Sequence, residues 1–138
     1  MGNLEEASRW VKQAEIDYQT AFNNLELESY EFVCFLSHQV AEKALKALLY
    51  YIGLRPFGHS LKDLVDDINE NKNQLELEIA INCAIELDKH YIPTRYPDAF
   101  VSGIPHEYYT KKNAQDCLKW SKKILDSVGK YLKNIEKK

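Results

Sequence analysis

The stretch YEFVCFLSHQVAEKALKALLYYI, from Tyr30 to Ile52, decides how the rest of the chain is read. Its apolar positions Val33, Leu36, Val40, Ala41, Ala44, Leu45, Leu48, Leu49 and Ile52 recur at helical spacing and cover too wide an arc for a helix resting on a surface. This segment is therefore expected to run through the middle of a helical bundle. The polarity that remains is a narrow stripe of His38, Gln39, Glu42, Lys43 and Lys46, in which 38, 42 and 46 stack, as do 39 and 43. Gly53 is placed to close the helix in the left-handed conformation, and Pro56 and Gly58 prevent its resumption.

Before this segment, Leu4, Ala7, Val11, Ala14, Tyr18, Ala21 and Leu25 fall at steps of three and four, an amphipathic helix with Glu5 and Glu6 in its first turn where negative charge suits the dipole. After it, Ser60 and Asp63 resemble a capping box that opens a short helix carrying Leu61, Leu64, Val65 and Ile68. A polar turn, Asn69 to Asn73, leads to a fourth helix with Ile79, Cys83, Leu87 and Tyr91 at steps of four, expected to end just before Pro93. Pro93, Pro97 and Pro105, with Ser102 and Gly103, mark Pro93 to Pro105 as a long loop. The last helix sets Ala114, Cys117, Leu118, Ser121, Ile124, Leu125, Val128, Leu132 and Ile135 on one side, with Lys137 and Lys138 at its C-terminal end. No segment alternates long enough to be a strand. The expected fold is all-α, an antiparallel up-and-down bundle of four to five helices forming a single domain over residues 1–138.

Lys plus Arg number 18 against 21 for Asp plus Glu, a net charge of -3, which excludes a protein that coats nucleic acid over its whole surface and leaves room for a local basic site. Cys34, Cys83 and Cys117 are odd in number and each sits in an apolar helical pattern, so they are expected as buried free thiols. With no export signal at Met1 to Glu6 and no long uncharged run, the expected location is the cytoplasm, away from membrane.

Four histidines, His38, His59, His90 and His106, raise the question of a metal, but there is no paired-histidine zincin motif and no Cys-x-x-Cys, so neither metal nor cofactor is expected. A Gly-x-Ser-x-Gly elbow and glycine-rich phosphate loops are also absent. What remains is a polar set in three places: Glu42, Lys43 and Lys46 on the central helix, His59 after it, and Asp88, Arg95, Tyr96 and Asp98 around the long loop. On a structural reading Glu42 pairs with Lys46 and Arg95 pins the loop to Asp88. On a functional reading Arg95 and Lys43 or Lys46 face a common cleft, with Asp88 or Asp98 near them, that takes a phosphate and a stacked base.

The same residues resemble the HEPN family. Gln39, Glu42, Lys43, Lys46 and Ala47 look like its Gln-x-x-Glu-Lys-x-x-Lys-Ala signature, and His59-Ser60-Leu61 resembles its His-x-Leu element. Tyr91 followed by Arg95-Tyr96-Pro97-Asp98 resembles its Tyr-x-x-x-Arg-Tyr-Pro-Asp element, and the likeness runs from Trp10 to Val128.

The resemblance implies a helical bundle that forms homodimers and is often paired with a minimal nucleotidyltransferase in a toxin-antitoxin-like module, in a family that includes nucleotide-binding domains, such as the one ending sacsin, and metal-independent ribonucleases. It assigns nucleotide or RNA binding to Gln39, Glu42, Lys43, Lys46, His59, Asp88, Tyr91, Arg95, Tyr96 and Asp98. The ribonuclease branch carries an Arg followed after four to six residues by a His; here the histidine after Arg95 is His106, with ten residues between, so this chain departs from that pattern. The preferred expectation is a binding module, the alternative an endoribonuclease using Arg95 and His106, and the third a purely structural helical dimer. Trp10, Phe22, Tyr50, Tyr51, Phe57 and Trp120 supply more large apolar side chains than one small core readily hides, which also points to a dimer.

Overall fold

Two long helices, α1 (Gly2–Glu26) and α2 (Tyr30–Tyr51), form an antiparallel hairpin closed by a turn in which Glu28 takes φ 60°. Ala7, Ala14 and Ala21 are fully buried at a seven-residue interval, and this seam of small side chains lets α1 lie close along α2. In this computed structural model of the chain, residues 2–71 and 77–136 are described, with side chains over 3–71 and 80–133. Asn73, Lys137 and Lys138, and the side chains of Ile79 and Ile135, lie outside those ranges.

α2 is central, as its wide apolar arc requires, and packs against α1, α3 and α6. Leu45, Leu48 and Leu49 are each at most 1% exposed, so each contributes about 1.5–3 kcal/mol of burial. Gly53 adopts φ 88° beyond its end.

α3 (Leu61–Asn71) starts with the Asp63 amide donating to Ser60 Oγ at 3.2 Å and buries Leu61, Leu64, Val65 and Ile68. α4 (Leu77–Asp88) packs on α3 and α6. It ends at Asp88, earlier than the expected boundary at Pro93. Pro93 has no N–H to give the Lys89 carbonyl and disfavours helical geometry at Ile92, so the chain tightens into successive turns, with the His90 amide on the Leu87 carbonyl and the Arg95 amide on that of Ile92.

The proline-rich segment contains more local structure than a loop: a 3-10 turn at Pro97–Ala99 and a one-turn helix, α5 (Pro105–Tyr108). α6 (Lys111–Glu136) follows, capped by Thr110 and Asn113, each side chain accepting from the other's backbone amide at 3.2 and 2.9 Å. The described residues contain six α-helical elements and no strand, the addition to the expected four to five being the single turn α5.

The three cysteines are buried and free. Trp10 packs 5.3 Å from Tyr50 and gives its indole N–H to Glu6, while Tyr51 and Trp120 also lie against the core. Of the aromatic residues expected to need a second chain, Phe22 and Phe57 are the exposed ones, and Phe57 is 91% exposed. No helix among the described residues is long and apolar enough to cross a membrane.

Candidate functional site

One face of α2 carries Phe35, His38, Gln39, Glu42 and Lys46, and the turns after α4 lay Tyr91 and Arg95 against it. His38 is fully buried. Its Nε2 lies 3.2 Å from Asp88 Oδ1, and its ring is 4.7 Å from that of Tyr91. His38 Nδ1 has no hydrogen-bond partner and lies 4.0 Å from Glu42 Oε1; the buried Ser37 hydroxyl is likewise unpartnered.

Glu42 is only 6% exposed, and the Lys46 ammonium at 3.1 Å and a hydrogen bond with His59 Nδ1, also at 3.1 Å, compensate its desolvation. His59 in turn stacks on Tyr91 with 5.2 Å between ring centres and 20° between planes. Tyr91 is thus the hub on which α2, the loop before α3 and the turns after α4 converge.

Arg95 completes the cluster. Its guanidinium lies 4.6 Å from the Phe35 ring, 4.5 Å from Tyr91 and 5.0 Å from Tyr96, and Nε and Nη2 both donate to the Tyr91 carbonyl, at 3.0 and 2.7 Å. Three rings surround the guanidinium, and two of its five N–H groups are used among the described residues, which leaves donors for an incoming anion.

Asp88 has a different role from the expected partner of Arg95. Its two oxygens accept from the Leu61 and Lys62 amides at 2.9 and 3.1 Å, capping α3 across sequence. Burial alone would raise its carboxyl, but the His38 imidazole and these two amides outweigh that and hold it below the ordinary carboxylate range. A carboxylate already given to three donors is not free for Arg95, and stacking on rings replaces the expected salt bridge.

Lys43 also departs from expectation. It turns toward α1 and pairs with Asp17, so it belongs to the α1–α2 interface and not to the Arg95 cluster. Lys46 is joined to the cluster through Glu42 and His59, the expected Glu42–Lys46 pair being present. Gln39 is half-buried on the same face, Tyr96 is half-exposed, and Asp98 is exposed in the 3-10 turn.

His106 sits on α5 with Nδ1 3.0 Å from both carboxylate oxygens of Glu31. Glu31 stands one helical turn before Phe35 on α2, so the folded loop brings His106 and Arg95 to neighbouring positions on one helix face despite their separation in sequence. Phe35 and Glu31 are the site residues that spacing alone did not single out; an acid at 31 and an aromatic at 35, leading by i, i+4 steps into Gln39 of the polar stripe, were the available signal.

A surface groove of about 840 Å³ lies elsewhere, between α1 and α6, walled by residues such as Lys12, Glu15, Tyr18, Lys122 and Asp126. Its lining sets Lys12, Lys122, Lys130 and Lys133 against Glu15 and Asp126, a net positive charge, and it contains none of the motif residues. Among the described residues, the grouping with metal-ligating side chains is Cys34, His90 and Cys117.

The sequence profile of the HEPN domain matches residues 7–132. A protein named "Putative toxin MJ1304" from Methanocaldococcus jannaschii is 28% identical over 138 residues, 95% of this chain and 91% of that protein. Human sacsin is 29% identical over 139 residues, 96% of this chain, which spans only 3% of sacsin's length. The crystal structure of TT1696 from Thermus thermophilus superposes with a TM-score of 0.84 at 38% identity, covering 91% of this chain and 97% of that one.

Proposed function

This chain belongs to the HEPN domain family, and from that premise we propose that it binds the phosphate of a nucleotide or RNA through Arg95, as the binding and protein-interaction partner of a minimal nucleotidyltransferase in a toxin-antitoxin-like pair. The observation that carries this reading is the guanidinium lodged among Phe35, Tyr91 and Tyr96 with three N–H groups unspent among the described residues. An arginine whose only work was to pin a loop would spend its donors on protein acceptors. The half-exposed ring of Tyr96 lies against it, and His59, also partly exposed, stacks on the same Tyr91 ring; both are aromatic groups on which a base can stack. The toxin name of the archaeal relative agrees with such a module.

A homodimer fits the exposed apolar side chains of Ile92, Tyr96, Val101, Ile104 and Tyr108, which follow one another along the segment beside Arg95. Sedimentation at micromolar concentration tests that part of the reading; a monomer would remove it.

A second reading has one observation in its favour: the position of His106 on Glu31, one turn from the ring that supports Arg95. A carboxylate-oriented imidazole beside a phosphate-holding guanidinium is the equipment of metal-independent RNA cleavage. Incubating the purified chain with RNA in chelator, together with equilibrium binding of nucleotides and short RNA, separates the two. Binding without cleavage supports the first reading, cleavage the second, and neither leaves a structural dimer.

A further inference from the structure

The helices bring two thiols and an imidazole from three separate elements to one place in the interior. Cys34 lies on α2 and Cys117 on α6, both fully buried; His90 lies in the turn after α4. One ligating atom from each lies within 4.8 Å of the others. The neighbouring Cys34 thiol, with burial, pushes the Cys117 thiol far up from its usual range.

The imidazole is held on two sides: Tyr109 Oη is 2.9 Å from His90 Nδ1, and the Trp120 ring lies nearly parallel to it, 6.5 Å away. Burial pushes the Tyr109 phenol up first, and the neighbouring thiols push it further, so its hydroxyl stands at the site as a neutral hydrogen-bonding group. Such an outer partner is what orients a ligating histidine. Burial likewise holds His90 below its ordinary range, keeping the ring in the neutral form that a metal requires.

We propose that Cys34, Cys117 and His90 supply three of the four ligands of a structural Zn2+ ion, a water taking the fourth position, and that the ion ties the turn bearing Tyr91 and Arg95 to α2 and α6. Tetrahedral zinc with bonds of about 2.3 Å to sulfur and about 2.0–2.1 Å to nitrogen sets its ligand atoms roughly 3.5–3.8 Å apart, within reach of small side-chain rotations from the present spacing. The ion displaces one proton from each thiol, and two protons leave to solvent with no change of oxidation state. Two thiolates, a neutral imidazole and Zn2+ sum to zero charge, which suits an interior that would penalise a net charge. Burial means that the ion is taken up as the chain folds, so its binding adds to stability.

The third thiol serves as an internal control. Cys83 is also buried, on α4, but stands outside this grouping.

The test uses the full chain, reduced and stripped of metal, titrated with Co2+ and then Zn2+. One Co2+ per chain is expected to give the near-ultraviolet thiolate-to-cobalt charge-transfer band, which Zn2+ abolishes by displacement, and Zn2+ in excess is expected to raise the Tm. Cys83→Ala should keep both effects, His90→Gln should weaken binding about 10–100-fold, and Cys34→Ser or Cys117→Ser should remove most of the band. Should the serine variants fail to fold, the wild-type stoichiometry and His90→Gln still decide the matter. No band and no rise in Tm for the wild-type chain would overturn the proposal, as would a band that survives in the folded Cys34→Ser/Cys117→Ser double variant. So would air oxidation to a Cys34–Cys117 disulfide in a chain whose reduced form takes up no metal. Phosphate binding at Arg95 is read separately and is untouched by either result.

Discussion

Asp88 Oδ1 lies 3.2 Å from His38 Nε2, and the same oxygen accepts from the Leu61 amide at 2.9 Å, so one carboxylate joins the middle of α2 to the first turn of α3. Asp88→Asn keeps the shape but gives up the charge that all three donors share, and it is expected to cost about 1–3 kcal/mol. Asp88→Ala should cost more, because the fully buried His38 would then have neither ring nitrogen satisfied. Urea unfolding at unchanged m-value measures both; an Asp88→Asn midpoint equal to that of the parent would show that the bridge contributes no stability.

Acid should act on this protein in two stages. His90 is held below its usual value of 6.5, so the unfolded chain binds the proton first, and stability present above about pH 6.5 declines as pH falls through the folded value. Asp88 is held below 3.8, so its contribution is present above that value and is lost as pH falls through the lower folded one. Chemical denaturation of metal-free protein across pH 3 to 8 should therefore show an early slope that His90→Gln removes and a late one that Asp88→Asn removes.

The order and faces of the helices were legible because burial enforces period: α2 had to be central once its apolar arc exceeded a single face, and Gly53 and Ser60 marked ends that backbone chemistry requires. Partners across the fold were not legible. Sequence allowed Arg95 to pair with Asp88, but the α3 amides and His38 reach that carboxylate first, which depends on where α3 lands. Lys43 and Lys46 differ by less than one turn, yet α1 claims the former and Glu42 the latter. The Cys34, His90 and Cys117 grouping has no spacing signature, since each residue comes from a different element.

Lys43 and Lys46 should consequently separate in mutation. Lys43→Met leaves Asp17 largely buried without its cation and is expected to cost about 1–2 kcal/mol of stability, with nucleotide or RNA affinity within about twofold of the parent. Lys46→Met frees Glu42 to hold His59 alone, and its effect should fall on binding as well. Paired unfolding and binding measurements check this, and a large affinity loss in Lys43→Met with unchanged stability would place Lys43 in the site after all.

The sharpest division concerns Arg95 and His106. Arg95→Ala removes a preoriented guanidinium and is expected to weaken binding of a nucleotide or short RNA by about 1–3 kcal/mol, while circular dichroism stays unchanged. Arg95→Lys should recover little, because an ammonium neither presents a planar cation to Phe35, Tyr91 and Tyr96 nor reaches phosphate in a fixed two-pronged geometry. His106 is exposed and its polar partner among the described side chains is Glu31, so His106→Ala should leave stability within about 0.5 kcal/mol. Binding should persist in that variant, since the phosphate contact resides in Arg95. If the parent protein cuts RNA in chelator, the same variant should lose cleavage while retaining affinity, because proton transfer and phosphate binding would then reside in different residues. An Arg95→Ala protein that melts far below the parent, with no binding detectable in either, would instead make the stacked guanidinium a pin for the turns after α4.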